Sequence, residues 1–325
     1  MTVTIIRRLG QALLVVVAMS LLVFVGVSSI GDPTYMFVSP DADAAEIQRV
    51  IETFGFDRPV WERYWLFVKG AVTGDLGDSY IFGQSAMGLI LERMPATLEL
   101  AFVALFMAIV LGIPLGLYAG LRPETVASKT IMTGSIVGFS LPSFWVGIML
   151  MLLFAVILGW LPSTGRGDTV DVLGVDVSFL TWDGLAHLAL PAFNLALLKI
   201  SLVIRLTRAG VREAIHMDYI KFARAKGLSG RRIVGVHLLK NIMIPVVTVL
   251  GLEFGSLIAF SVVTETIFAW PGMGKLLIES IQSLDRPVIV AYLMLIVFVF
   301  VIINLVVDLA YAMLDPRVRV AAEGG

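Results

Sequence analysis

The sequence predicts an all-α membrane protein with six transmembrane helices and both chain termini in the cytoplasm. Three observations carry this. Charged residues make up only 15% of the 325 positions, against roughly 25% in a soluble domain. Six stretches reach the length of about 20 apolar residues that a helix needs to cross the hydrocarbon. Lys and Arg are unevenly divided between alternate connecting segments, as the positive-inside rule requires.

The first span covers residues 9–30. Arg7 and Arg8 before it fit the start of a secretory signal. The apolar run is longer than a signal core, however, and no small-residue cleavage site follows, so an uncleaved helix is expected. The second span is 100–121 and the third 130–161, with Pro142 inside it. The third is too long for one straight crossing, so a Pro142 kink, tilt or an outer helical extension is expected. The fourth, fifth and sixth spans cover 184–204, 242–264 and 288–307.

With the N-terminus inside, the inner segments hold fifteen basic residues and six acids, and the outer segments eight basic and seventeen acidic. Arg122, Lys129, the nine Lys/Arg from Arg205 to Lys240, Arg317 and Arg319 then face the cytoplasm. The division is residues 1–30 for the first helix, 31–95 for an outer segment, 96–312 for a membrane core with the cytoplasmic loop 205–241, and 313–325 for a cytoplasmic tail. The outer segment has an amphipathic run from Glu46 to Phe54. Trp61, Tyr64, Trp65 and Phe67 follow at near-helical spacing. An interfacial helix and a small self-packed cap both fit that pattern.

Several function classes lose support at this level. With no Cys, the chain offers no disulfide, thiol nucleophile or Cys-ligated metal. His187, His216 and His237 lack the spacing of a helical metal pair. "WPGMGKLL" (270–277) is not a nucleotide loop: Ala269 stands where the first Gly belongs, and Leu276 follows Lys275. It reads as an outer turn closing a path. No cofactor and no catalytic residue are expected. Three charges fall within or near the spans. Glu253 sits near mid-membrane, where a carboxylate faces a cavity or a partner, or else is a hydrogen-bonded structural acid. Lys199 is read as snorkelling from the inner end of span four, and Glu99 as structural at the outer end of span two.

The loop 205–241 carries the densest charge, in "DYIKFARAKGLSGRR" (218–232). A helix over 212–226 places Ile215, Tyr219, Phe222, Ala223 and Lys226 on one face. Gly227 suits the C-terminal cap. Ser229 suits the N-cap of a second helix, 230–240. Lipid binding would explain the basic residues. A docking helix for a cytoplasmic partner would also explain the apolar seam.

This loop resembles the "EAA" loop of ABC-importer permeases, E-A-A-x-x-x-G followed by I-x-L-P. Here Lys221-Phe222-Ala223 stands for E-A-A and His237-Leu238-Leu239-Lys240 for I-x-L-P. It is more similar to the form in dipeptide, oligopeptide, nickel and glutathione permeases, D-Y-[VI]-[RK]-T-A-R-A-K-G-L-S, closing H-x-L-[RK]-N before a Pro. Phe222 replaces the usual Thr, and Pro245 follows Asn241. "FGFDRP" (54–59), "GDLGDSY" (74–80), "ERMPATLEL" (92–100), "WPGMGKLL" and "LDPRVR" (314–319) extend the resemblance along the whole chain.

The resemblance implies a type I ABC importer permease fold. It also implies a second permease subunit, two cytoplasmic ATPases and an extracellular substrate-binding protein as partners. ATP hydrolysis then belongs to the ATPases, and the expected cargo is a di- or oligopeptide, with nickel complexes, glutathione or another small solute as the alternative. Tyr219, Phe222, Ala223, Arg224, Lys226 and Gly227 become the ATPase-docking residues, and Glu253, Ser140, Pro142 and Trp145 line the path. A stand-alone secondary transporter or channel would instead show several mid-membrane charges and an internal repeat. The sequence shows one central charge and no repeat.

Overall fold

The computed structural model describes residues 2–29, 34, 37, 38, 41–55 and 57–314, with side chains at 10–29, 34, 37, 38, 41–53, 55 and 57–307. Arg7, Arg8, Arg317, Arg319 and "LDPRVR" beyond Leu314 thus lie outside the described side chains. The chain divides into two units, Met1–Pro95 with Gly272–Ile302, and Ala96–Pro271 with Ile303–Gly325.

The first unit holds α1 (Thr2–Ser28), α2 (Ala44–Phe54), α3 (Val60–Thr73), the start of α4 (Ala86–Leu121), α11 (Met273–Gln282) and the first part of α12 (Arg286–Leu314). The amphipathic run becomes α2. Asp43 caps it by accepting from Glu46 N at 2.7 Å, and left-handed Gly55 ends it. The aromatic run becomes α3 and splits between two faces. Tyr64 and Phe67 pack on Phe24 of α1, with Ser20 and Tyr64 hydroxyls 2.9 Å apart. Trp61 and Trp65 stay exposed. Val23 and Val27 of α1 bury against Ile289 of α12. The Asp285 carboxylate accepts from Ser79 Oγ and, at 3.1 Å, from Tyr80 N, which ties the loop after α3 to the start of α12.

The second unit is built around α7 (Trp182–Ala214), whose buried face runs from Leu188 through Ala192, Ala196, Ile200, Val203 and Thr207 to Val211. Gly112, Gly116 and Gly120 recur every four residues on α4 and let its backbone close on α7. A Cβ on these glycines would fall 2.7 Å from Val203 Cβ, 2.6 Å from Ile204 O and 2.6 Å from Val211 Cβ. Without a hydrophobic drive between helices in lipid, such close backbone approach supplies the packing.

The third predicted span is two helices, α5 (Val126–Ser140) and α6 (Ser143–Leu150), the latter running on as a π-helix, Met151–Ile157. Of the kink, tilt or extension expected, the structure has a bend at the break, of 109°. Proline disfavours helical geometry at its predecessor. Leu141 takes φ −81°, ψ 137° and Pro142 φ −61°, ψ 131°, so two successive extended residues redirect the chain. An antiparallel hairpin follows, β1 (Val170–Val172) with β2 (Val175–Val177), in register Val170↔Val177. Its two-residue turn has positive φ at both Leu173 (58°) and Gly174 (81°), the mirror-image turn that matches strand twist. The sequence reading carried no strand here.

Next come α8 (Asp218–Ala225), α9 (Gly230–Arg232), a π-helical stretch Ile233–Leu238 and α10 (Leu239–Ile267). The last three form one 38-residue span, Gly230–Ile267. The separate helix expected over 230–240 is therefore the first part of span five. Among the described residues, five helices are long and apolar enough to cross a membrane, and six when the α5–α6 pair is taken as one span.

Candidate coupling loop and membrane-embedded polar site

The predicted helix over 212–226 is divided in the structure. The helix α7 runs to Ala214, Met217 turns to extended geometry at ψ 150°, and α8 starts at Asp218. An acid in that first turn faces the positive end of the helix dipole. The Asp218 carboxyl is held below its usual value, first by the hydrogen bond from Lys221 and then by that ammonium's charge.

The seam also differs from expectation. Ile220 and Ala223 point inward and bury with Val211, Ala214, Ile233, Leu238 and Ile242. Tyr219 and Phe222 point outward, Phe222 being 61% exposed. Ala223 therefore belongs to the loop's own core and does not share an open face with Phe222. The reason is the late start of α8: its inner stripe is set by the apolar groups on α7 and on the segment after Gly230. Arg224 and Lys226 are exposed, and the Lys226 ammonium sits 4.5 Å from the centre of the Phe222 ring.

Gly227 ends α8 at φ 72°. Its N–H donates to Arg224 O at 2.9 Å, and Leu228 N–H donates to Ala223 O at 3.3 Å. These are the two crossed bonds of a Schellman cap, which needs the left-handed conformation glycine adopts freely.

Deeper in the unit lies a polar cluster. Glu253 stands fourteen residues from each end of α10 (267 − 253 and 253 − 239). Lys199 stands seventeen residues from the start of α7 and fifteen from its end (199 − 182 and 214 − 199). Lys199 Nζ donates to Glu253 Oε2 and, at 2.8 Å, to Ser256 Oγ. Ser256 Oγ in turn lies 2.8 Å from Glu253 Oε2. Lys199 is thus paired at mid-helix rather than snorkelling from an inner end. The sequence reading ended span four at 204, whereas α7 continues ten residues further, to Ala214.

Ser140, Pro142 and Trp145 form no hydrogen bond or ring contact with Glu253 among the described residues. Ser140 Oγ donates to Ile136 O at 2.9 Å, Pro142 sits at the turn before α6, and Trp145 is 44% exposed.

Two further buried carboxylates hold the far end of this unit. Glu265, expected in an outer segment, is fully buried on α10 and accepts from Thr97 at 2.7 Å and Ser261 at 2.8 Å. Glu99 is structural, as its sequence reading holds. It accepts two bonds from Arg166 (3.0 and 2.7 Å), one each from Ser178 N and Oγ, and one from Phe179 N. Arg166 also donates to Asp176 O at 2.6 Å, so the clamp pins the hairpin to α4. Trp270 of "WPGMGKLL" is fully buried and donates to Ala96 O at 2.9 Å. His187 Nδ1 lies 2.9 Å from Asp183 O, and among the described residues no three His, Cys, Asp or Glu form a metal-sized group.

Long apolar helices, one span bent and a capped basic helix between two others, define a multi-pass membrane protein. Residues 112–320 match the family described as "Binding-protein-dependent transport system inner membrane component", and residues 1–101 match its N-terminal companion. The chain belongs to that family, and it is a permease subunit of an ABC importer of the inner membrane.

Among its relatives is the di/tripeptide transport system permease protein DppB of Pseudomonas aeruginosa, 37% identical over 96% of this chain and 97% of that protein. The dipeptide transport system permease protein DppB of Escherichia coli K12 is 35% identical over 97% and 98%. The glutathione transport system permease protein GsiC of the same strain is 35% identical, also over 97% and 98%. A chain of the MetNI methionine ABC transporter, solved in inward-facing conformations, has the same fold at 19% identity. It covers 70% of this chain and 97% of its own, with a TM-score of 0.52. Membership implies an ATPase and a substrate-binding protein as partners.

Proposed function

We propose that this chain forms half of the translocation path of an ATP-driven importer of di- and oligopeptides, paired with a second, different permease subunit. Two cytoplasmic ATPases hydrolyse the ATP, an extracellular binding protein delivers the peptide, and this chain needs no cofactor of its own. The observation that carries the reading is α8. Its inner face is anchored by Ile220 and Ala223, its end is closed by Gly227, and its outer face presents Tyr219, Phe222, Arg224 and Lys226.

A helix fixed on one side and bare on the other transmits force. Closure of the ATPases displaces α8, and the Schellman turn passes the displacement into the continuous 38-residue span that begins at Gly230. That span carries Glu253, so motion at the loop reorients the polar centre between outward and inward access. Apolar Phe222 and Tyr219 supply docking area, and Arg224 and Lys226 pair with acids on the ATPase. The peptide assignment is supported by relatives named for dipeptides, di/tripeptides and glutathione, itself a short peptide. The excess of basic residues in the loop supports a cytoplasmic α8, with the N-terminus on the same side.

The test is reconstitution with the ATPases, the second permease and the binding protein in proteoliposomes. ATP-dependent uptake of labelled dipeptide is expected, and it should vanish when the ATPases are omitted. Uptake without ATPases, driven by an ion gradient, would overturn the reading in favour of a stand-alone transporter.

A further inference from the structure

The Lys199–Glu253 pair leaves two bonding positions open. An ammonium has three N–H donors, and Lys199 directs its own at two acceptors, Glu253 Oε2 and Ser256 Oγ. Glu253 Oε2 takes both Lys199 and Ser256, while Oε1 accepts from none of the described residues. The two side chains remain 17% and 28% exposed, so the chain closes around one side of the pair and leaves the other open. Both charges lie well inside helices long and apolar enough to cross a membrane, where an unpaired charge is costly and an ionisable residue marks a pathway. Apolar residues of similar volume would serve packing at least as well as a buried ion pair, so stability alone does not account for Lys and Glu here.

We infer that this pair reads the two ends of a short zwitterionic peptide: Glu253 Oε1 takes the α-ammonium and Lys199 Nζ the α-carboxylate. The inference rests on the peptide reading above and adds which residues of this chain recognise the cargo. The exchange is neutral at every stage. One internal ion pair opens into two pairs with the peptide, each positive group meeting a negative one, and no lone charge is stranded at mid-membrane. Ser256 steadies the arrangement, since its hydroxyl bonds to both side chains and its place on α10, three residues after Glu253, is set by the helix. An extended dipeptide, at about 3.5 Å per residue, places its two ends within about 7 Å of each other. The flexible four-carbon arm of Lys199 can open by a comparable distance. A longer peptide engages one member of the pair at a time, and a peptide blocked at one end leaves the matching side chain unpaired.

The experiment compares three probes in the reconstituted complex: alanyl-alanine, its N-acetyl derivative and its C-terminal amide. Maximal uptake rates are measured with wild type, Glu253→Gln and Lys199→Gln, always with the same binding protein. Any selectivity of the binding protein is then common to all three permeases, and a changed ratio reports on this chain. Glu253→Gln should shrink the preference for free over N-acetylated peptide about tenfold. Lys199→Gln should shrink the preference for free over amidated peptide by a similar factor.

A second measurement uses wild-type protein and needs no variant to assemble. Dipeptides with a diazirine residue at either end are photo-cross-linked during turnover, and the N-terminal label should map within one turn of Glu253, the C-terminal label within one turn of Lys199. Ratios that stay at wild-type values in both variants, or labels that map elsewhere, would overturn the inference and leave the pair as a contact covered by the second permease. Absence of dipeptide uptake by wild type would instead remove the peptide reading itself.

Discussion

Phe222 and Ala223 are neighbours in sequence, yet the structure predicts opposite consequences for their substitution. Phe222 is 61% exposed, and the Lys226 ammonium lies against its ring. An aromatic side chain buries about 200 Å² when fully covered, so docking can cover about 120 Å² more of Phe222. At about 25 cal/mol per Å² this is about 3 kcal/mol, a factor of about 150 in Kd. Phe222→Ala should therefore weaken ATPase binding by about 10- to 150-fold and leave the loop folded. Ala223 is 4% exposed, in a cluster of apolar groups. Ala223→Glu places a carboxylate there without a partner, at a cost of several kcal/mol to the loop itself.

The assay is titration of the solubilised permease with fluorescent ATPase, run beside hydrogen exchange over residues 211–242. Phe222→Ala should lose affinity with protection unchanged, and Ala223→Glu should lose both. Wild-type Kd in Phe222→Ala would refute docking through this face. Lost affinity with intact protection in Ala223→Glu would show that Ala223 is itself a contact, and that its burial in the loop core is wrong.

Gly116→Ala should lower the thermal midpoint, because its Cβ would meet the Ile204 carbonyl at 2.6 Å and force α4 from α7, at about 1–3 kcal/mol. Gly134→Ala, with nothing within 4 Å, is the control and should not lower it. Glu99→Gln should strip Arg166 of its counter-charge at 14% exposure and cost about 3–5 kcal/mol. Adding Arg166→Met should recover part of the loss in a double-mutant cycle, and strict additivity would argue that the clamp contributes nothing as a pair. Because the chain has no native Cys, single cysteines at Asp43, Asp171 and Gln282 should react with an impermeant thiol reagent in intact cells. Reaction only after lysis would invert the orientation.

Much of the loop was legible because its signals are local. The stop at Gly227 follows from glycine's access to positive φ, and the structure has φ 72° there. The amphipathic run from Glu46 to Phe54 was legible for the same reason, as a period, and the structure adds its cap at Asp43. The inner and outer faces of α8 were not legible from 212–226 alone. Their phase depends on the extended residue Met217 and on the apolar groups supplied by α7 and the segment after Gly230. Pro142 announced a break, but not its angle, which depends on Leu141 adopting extended geometry as well.

Run length, charge bias and turn chemistry act over a few residues, and by these the sequence alone determined the membrane class, the six apolar stretches and the glycine-closed basic loop. Pairing acts through space. Lys199 and Glu253 are 54 residues apart, and Glu99 and Arg166 are 67 apart. Only the packing of α10 on α7 turns two isolated membrane charges into one open ion pair. Each charge alone is costly in hydrocarbon, and the cost is offset only where the partner's helix brings the opposite charge to the same depth.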